Sequence, residues 1–247
     1  MNDFTIRLAD SIINVSCMDK HMPEFFLEYQ CEGEPDFAVS ITPEDLVLER
    51  EKSAREDALE GRMPREYPDA YLETIAIQRK VTEELFDHDT LLFHGSVIAV
   101  DGEAYLFTAK SGTGKSTHTR LWRELLGEKA VMVNDDKPFL QITEKGVTVH
   151  GSPWNGKHRL GNNISVPLKA ICILERGEEN EIQPITAKDS LLMLMQQSSR
   201  PMYKRKMPKY MELLDALSQK VAFYRLKCNT TPGAAKLSYE TMSGKNV

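Results

Sequence analysis

Ser111-Gly112-Thr113-Gly114-Lys115-Ser116-Thr117 brings together, in seven consecutive positions, the residue types that hold a polyphosphate. Gly112 and Gly114 let the backbone turn tightly and approach a ligand closely, and the successive N–H groups around them point at it. A lysine directly after them reaches the β- and γ-phosphates, and a hydroxyl directly after that completes the shell of a Mg²⁺ ion. Lys115 and Ser116 therefore predict ATP and Mg²⁺ as ligands, with Ser111, Gly112, Thr113, Gly114, Lys115, Ser116 and Thr117 forming the cradle.

Such a loop works only between a strand and a helix. The apolar run Ala104 to Thr108 supplies the strand, and an amphipathic stretch from about Lys115 to Leu126 supplies the helix, whose N-terminal dipole adds to the attraction for anions. The pattern G-x-x-x-x-G-K-[ST] asks for glycine at 109, where this chain has Ala109. A methyl group excludes a positive φ but permits an ordinary loop, so the loop is expected to start on a different path. Upstream, Leu91 to Gly95 and Val97 to Val100 lead into Asp101-Gly102, a two-residue hairpin signal. The phosphate loop is thus fed by an antiparallel hairpin, unlike the parallel βαβ approach of ordinary P-loop proteins.

Downstream, the strand Ala130 to Val133 ends in Asn134-Asp135-Asp136. Carboxylates at the end of such a strand stand where a Mg²⁺-holding aspartate belongs, and they are the expected partners of Ser116. Further on, Gly151-Ser152-Pro153-Trp154-Asn155-Gly156-Lys157-His158-Arg159 joins small residues, a proline and a tryptophan to three cationic or titratable side chains. This reads either as a loop reaching over an anionic ligand, with Trp154, Lys157 and Arg159 as its contacts, or as a basic surface turn pinned by Trp154.

The remaining chain provides the frame. Residues 1–50 carry strand signals at Phe4 to Leu8, Ile12 to Cys17, Phe25 to Tyr29, Phe37 to Ile41 and Leu46 to Leu48, which together predict a small β-layer. Residues 50–68 are charged and hold Pro64 and Pro68, so the expected organisation is an N-terminal segment and connector over 1–68 and a nucleotide-binding domain over 69–247. Helices are expected over Asp69 to Phe86, Asp189 to Gln197, Pro208 to Lys220 and from about Pro232; strands over Phe139 to Ile142, Val147 to His150, Lys169 to Leu174, Ile182 to Ile185 and Val221 to Leu226. Met193, Met195, Met202, Met207 and Met211 read as core filling, and Arg200, Lys204, Arg205, Lys206 and Lys209 as a solvated basic face.

With 31 basic and 37 acidic residues the net charge is −6, which argues against nucleic acid as a partner. Cys17, Cys31, Cys172 and Cys228 lack metal-site spacing and read as reduced thiols. The N-terminus has no signal-peptide pattern and no apolar run approaches the roughly 18 residues of a membrane span, so a cytoplasmic location and no membrane partner are expected.

In order, His94-Gly95, the hairpin, S-G-T-G-K-S-T and Asn134-Asp135-Asp136 resemble the catalytic core of the HPr kinase/phosphorylase family, which shares a fold with phosphoenolpyruvate carboxykinase. The resemblance is specific from about Leu92 to Lys137. It implies an α/β, β-rich fold with mixed sheets around a P-loop core. It also implies that Lys115 binds phosphate, that Ser116 and Asp135 hold the metal, that Asp136 or its neighbour accepts the proton of a substrate hydroxyl, and that His94 stands near the phosphates or assists the aspartate. The departures are Thr117 in place of glutamate after the P-loop serine, and the family's L-E-x-R-G signature, matched only in part by Leu174-Glu175-Arg176-Gly177 and later in the chain.

The expected activity is ATP- and Mg²⁺-dependent transfer of phosphate to a hydroxyl of a small protein, peptide or small metabolite. A nucleotide-binding sensor or scaffold, or a phosphotransferase using pyrophosphate or ADP, are the alternatives. A homo-oligomer is compatible with either, since nothing in the sequence reads out the oligomeric state.

Overall fold

A computed structural model describes residues 1–59 and 61–246, which form two compact units, Met1–Leu85 and Phe86–Val247. In the first, β1 (Asn2–Leu8) and β2 (Ser11–Cys17) form an antiparallel hairpin, and β3 (Phe37–Ser40) adds to β2 in parallel. Ile13, Val15 and Cys17 alternate inward along β2, as a sheet with one packed face requires.

Two expected strands of this unit are helical. Phe25 to Tyr29 falls in α1 (Met22–Phe25) and a 3₁₀ turn over Leu27–Tyr29, because Pro23 sits at the helix start, where its fixed φ and missing N–H cost least. Leu46 to Leu48 lies inside α2 (Pro43–Leu59), where Asp45 Oδ2 accepts both the N–H (3.0 Å) and the hydroxyl (3.3 Å) of Thr42. This first-turn cap with Pro43 behind it outweighs a short apolar triplet.

α3 (Asp69–Leu85) packs on α2 and on β2 and β3, burying Leu72, Ala76, Ile77 and Val81. The compact unit therefore ends after Leu85, so this helix belongs with the N-terminal segment, whereas a boundary at 68 would assign it to the nucleotide-binding domain. Arg79 secures the helix pair: it donates to Asp45 Oδ1 at 2.8 Å and to Glu49 Oε1.

Among the described residues the second unit is built on nine strands in the order β4-β8-β9-β10-β6-β5-β7, with β12 beside β10 and β11 beside β12. These are β4 (Thr90–Leu92), β5 (Ser96–Val100), β6 (Glu103–Thr108), β7 (Ala130–Asn134), β8 (Phe139–Thr143), β9 (Gly146–His150), β10 (Ser165–Arg176), β11 (Glu181–Pro184) and β12 (Ala222–Cys228). The twelve-residue strand β10 (the expected strand extended at both ends) serves two pairings. Ser165 to Pro167 pair antiparallel with β9. Beyond a register shift between Leu168 and Ala170, the strand runs parallel to β6 and to β12. The result is the mixed-sheet α/β architecture that the sequence predicts.

β5 and β6 are buried on both faces, and their side chains divide by parity. Val97, Ala99, Ala104 and Leu106 join the cluster under α5 (Ala187–Gln197) and α6 (Met207–Lys220), with Leu194, Leu213 and Leu217. Ile98, Val100, Tyr105 and Phe107 join the cluster under α4 (Lys115–Leu126) and α7 (Pro232–Ser243), with Leu121, Trp122 and Tyr239. The β5–β6 turn carries Asp101 (φ 52°) and Gly102 (φ 80°), the two positive φ angles of a type I′ turn.

In this unit Met202, Met207 and Met211 are exposed and not core filling, because they sit on the outer side of α6 and the turn before it. Lys206 is buried beside Asp87 (3.1 Å), and Lys209 meets Asp89 (2.7 Å) and Glu212 (3.1 Å), so these two members of the basic run are paired and not merely solvated. Among the described residues no helix is long and apolar enough to cross a membrane.

Candidate nucleotide-binding and phosphotransfer site

β6 ends at Thr108, and α4 begins at Lys115 with Gly114 as its N-cap. Gly112 (φ 75°) and Gly114 (φ 124°) occupy backbone regions that side chains rarely enter, so the loop's path depends on glycine at these two positions. Ala109 is not among the residues with positive φ, and its methyl is fully buried in the cluster with Phe107 and Trp122. The loop does start as an ordinary turn, and the alanine is part of the core. Lys115 Nζ donates to the carbonyl of Ala109 at 3.2 Å, folding the ammonium back over the loop. Burial, with Lys137 adding and Asp136 opposing, lowers its pKa below the ordinary lysine value.

α4 presents His118, Thr119, Leu121 and Trp122 inward and stops at Gly127, whose N–H bonds to the Arg123 carbonyl. Its first turn is tied to β5 through Ser96 Oγ and Thr119 Oγ1, 2.9 Å apart.

The aspartate pair is held by Asn134, a fully buried residue at the end of β7. Asn134 Oδ1 accepts the N–H groups of Asp136 (2.8 Å) and Lys137 (2.6 Å), and its Nδ2 donates to the carbonyl of Ser152 at 3.1 Å. Ser152 Oγ in turn donates to the Lys137 carbonyl at 2.6 Å. One buried amide thus turns the chain so that adjacent aspartates face different surroundings. Asp135 is buried and accepts the Gly156 N–H at 2.6 Å. Asp136 is partly exposed and lies 3.3 Å from His94 Nε2. Burial would raise the Asp136 carboxyl, but the contact with His94 and the charges of Lys137 and Lys115 outweigh it and hold the group below its ordinary value.

His94 is positioned through its backbone, its N–H on the Gln197 carbonyl (2.6 Å) and its carbonyl on Thr108 Oγ1 (2.9 Å).

Two cavities share the loop. The larger, about 680 Å³, is lined by Gly114, Lys115, Ser116, Asp135, Arg123 and Lys157 among others. The second, about 370 Å³, is lined by Gly112, Thr117, Leu121, Leu174, Arg176 and Asn229 among others. Both are in the range of small-ligand sites, roughly 300–1,000 Å³.

The larger cavity gathers Gly112, Gly114, Lys115, Ser116, Thr117, Asp135 and Lys157 of the sequence-derived set; His94 and Asp136 do not line it, but Asp136 is near enough to Lys115 for each charge to act on the other. Trp154 is buried with its ring edge-on to Phe139, 6.2 Å between centroids, and so anchors the 151–164 loop from within. Arg159 does not line the cavity, whereas His158 and Leu160 do. Among the described residues no group of three or more His, Cys, Asp or Glu forms a metal cage. A phosphate-bound Mg²⁺ needs only one or two protein oxygens, and Ser116 and Asp135 on one cavity fit that requirement.

Sequence reasoning missed Asn134, Ser152 and the helix arginines. It also left unplaced the partial signature Leu174 to Gly177, which reaches this site: Arg176 Nη2 donates to the Gly112 carbonyl at 2.6 Å.

Residues 69–231 match the model of the family described as SynChlorMet cassette protein ScmC, a region that includes the phosphate loop, the aspartate pair and the 151–164 loop. The chain belongs to this ScmC family. No curated protein matches the chain. Among solved structures, the Hpr(Ser) kinase/phosphatase from Coxiella burnetii is similar at 11% identity and a TM-score of 0.36, over 62% of this chain and 93% of that one. A likeness that remote assigns neither activity nor site residues. For this ScmC-family chain the chemistry must be argued from its own side chains.

Proposed function

We propose that the protein is an ATP- and Mg²⁺-dependent kinase that phosphorylates a hydroxyl. The observation that carries this reading is the presence of Lys115, Ser116 and Asp135 on one cavity, with Asp136, paired to His94, close enough to act on the Lys115 charge. The loop N–H groups and Lys115 bind the triphosphate. The smaller cavity, with Leu121 and Leu174 in its lining, takes the nucleoside. Ser116 and Asp135 hold Mg²⁺, which when bound offsets phosphate charge and orients the γ-phosphoryl group.

Asp136 is ionised at neutral pH and takes the acceptor's hydroxyl proton, with His94 steadying the carboxylate. As the acceptor oxygen bonds to the γ-phosphorus, the bond from that phosphorus to the β,γ-bridging oxygen breaks, and its electron pair leaves on ADP. Lys115 compensates the charge on the transferring group.

Titration with a fluorescent ATP analogue plus Mg²⁺ tests the reading directly. Wild type binds, and Lys115→Ala loses roughly 10- to 100-fold in affinity, the usual effect of deleting a charged hydrogen-bond donor. A wild-type protein with no affinity for Mg·ATP defeats the proposal.

A further inference from the structure

The larger cavity is lined by cationic side chains from beyond the phosphate loop. Ser116, Arg120 and Arg123 all line it from one face of α4, their backbone positions spread over about 10 Å at 1.5 Å per residue. The phosphates belong at the helix N-terminus, one end of that span. Around the remainder stand Arg120 and Arg123 from the helix and Lys157 and His158 from the 151–164 loop. Asp135, already committed to the Gly156 N–H, is the one carboxylate in this lining among the described residues.

Arg120 is partly neutralised by Glu124 at 2.5 Å. Arg123 and Lys157 have no acidic partner among the described residues. Two unpaired cations from separate elements, converging on one cavity beyond the phosphate loop, are arranged for an anion other than the nucleotide's own phosphates.

We infer that the acceptor is acidic: a hydroxyl-bearing molecule with a carboxylate that Arg123 and Lys157 bind while its hydroxyl is presented to the aspartate pair. The inference rests on the kinase reading and deepens it. The shared chemistry is a carboxylate at some distance from a hydroxyl. In a peptide acceptor the carboxylate is that of an acidic residue flanking the serine or threonine. A small hydroxy acid carries the same two groups closer together.

The test begins with nucleotide binding, measured alone, so that failure of the kinase reading is seen separately as absence of Mg·ATP affinity. Phosphoryl transfer from labelled ATP is then compared for serine peptides with Asp and Glu flanks, the same peptides with Asn and Gln, and a panel of hydroxymono- and hydroxydicarboxylic acids beside their amides. The expected result is at least a tenfold preference in kcat/KM for acids over amides in the peptide or the small-molecule arm. The arm that responds identifies the source of the carboxylate. Arg123→Glu, at a partly exposed position, should abolish the preference, and Lys157→Glu should do the same from the opposite element. Equal transfer to acids and amides in both arms overturns the inference, as does a preference that survives both charge reversals. If Arg123→Glu weakens nucleotide binding as much as it weakens transfer to the acid, the cations serve the phosphates and the inference also fails.

Discussion

The backbone N–H of Gly156 donates to Asp135 Oδ1 at 2.6 Å, tying the 151–164 loop to the carboxylate at the end of β7. The approach is close, since a Cβ at 156 would stand 2.9 Å from Asp135 Oδ2 and 3.2 Å from its Cγ, and the carboxylate would have to give way. Gly156→Ala is therefore expected to push the Asp135 side chain aside. The Mg²⁺-dependent part of nucleotide affinity should fall by roughly 10- to 100-fold, equivalent to about 1–3 kcal/mol for a misplaced charged ligand, while the helix content by circular dichroism stays constant. An affinity and Mg²⁺ dependence equal to wild type would show that Asp135 is not a metal ligand.

Much of this region was legible because its signals are local. Asp101-Gly102 dictates its hairpin through two positive φ angles, and Gly112 and Gly114 likewise set the path of the loop between β6 and α4. Trp154 and Arg176 were not legible in the same way. The sequence cannot say that the Trp154 ring turns inward onto Phe139, or that Arg176, 64 residues from Gly112, arrives at the loop because β10 runs parallel to β6. Contacts set by strand pairing at long sequence separation have no local pattern to announce them. The reading of Leu46 to Leu48 as a strand failed for the converse reason: a four-residue cap, Thr42 to Asp45, decided the element.

Asp136 and His94 should separate binding from transfer. Asp136→Asn keeps the shape and removes the proton acceptor, so phosphoryl transfer is expected to fall by about 10²–10⁴-fold, while the nucleotide dissociation constant moves only a few-fold. His94→Asn removes the contact that helps hold the Asp136 carboxyl down, so the acid limb of kcat/KM should move to higher pH. Rapid-quench measurement of product against pH for the three proteins decides the matter. Equal transfer by Asp136→Asn and wild type would exclude Asp136 as the base.

Asn134 is a structural prediction with a functional readout. Its amide oxygen accepts two N–H groups and its amide nitrogen donates to Ser152, all in a fully buried position. Asn134→Ala leaves buried backbone groups unpaired and should cost about 2–3 kcal/mol, lowering Tm by roughly 5–10 °C in a protein of this size. Asn134→Asp keeps an accepting oxygen but replaces the donor to Ser152 with a fully buried carboxylate beside Asp135 and Asp136, so at pH 7 it should cost at least as much Tm as the alanine variant and recover part of it as the pH falls and the carboxyl is protonated. Calorimetry on the pair at pH 5 and pH 7 checks this, and an aspartate variant as stable as wild type at pH 7 would mean that the neutral amide and its bond to Ser152 contribute nothing.

The last expectation concerns acid. His118, inside α4, is buried with its ring edge against Phe107, and its Nε2 shares a hydrogen bond of 2.9 Å with Ser238 Oγ, which also accepts from Trp122 Nε1 at 2.8 Å. Burial pushes its pKa down from 6.5 to about 4. Because the folded form resists a proton that the unfolded chain binds readily, stability is full above pH 6.5 and declines as pH falls toward 4. Two and a half pKa units correspond to roughly 3 kcal/mol across that window. Both tryptophans, Trp122 and Trp154, lie in the second unit, so urea unfolding followed by their fluorescence isolates the unit that contains His118. The urea midpoint of wild type should drop steeply between pH 6.5 and 4, and that of His118→Gln, which starts lower, should drop less over the same interval. Parallel pH dependence in the two proteins would place the acid sensitivity elsewhere in the unit.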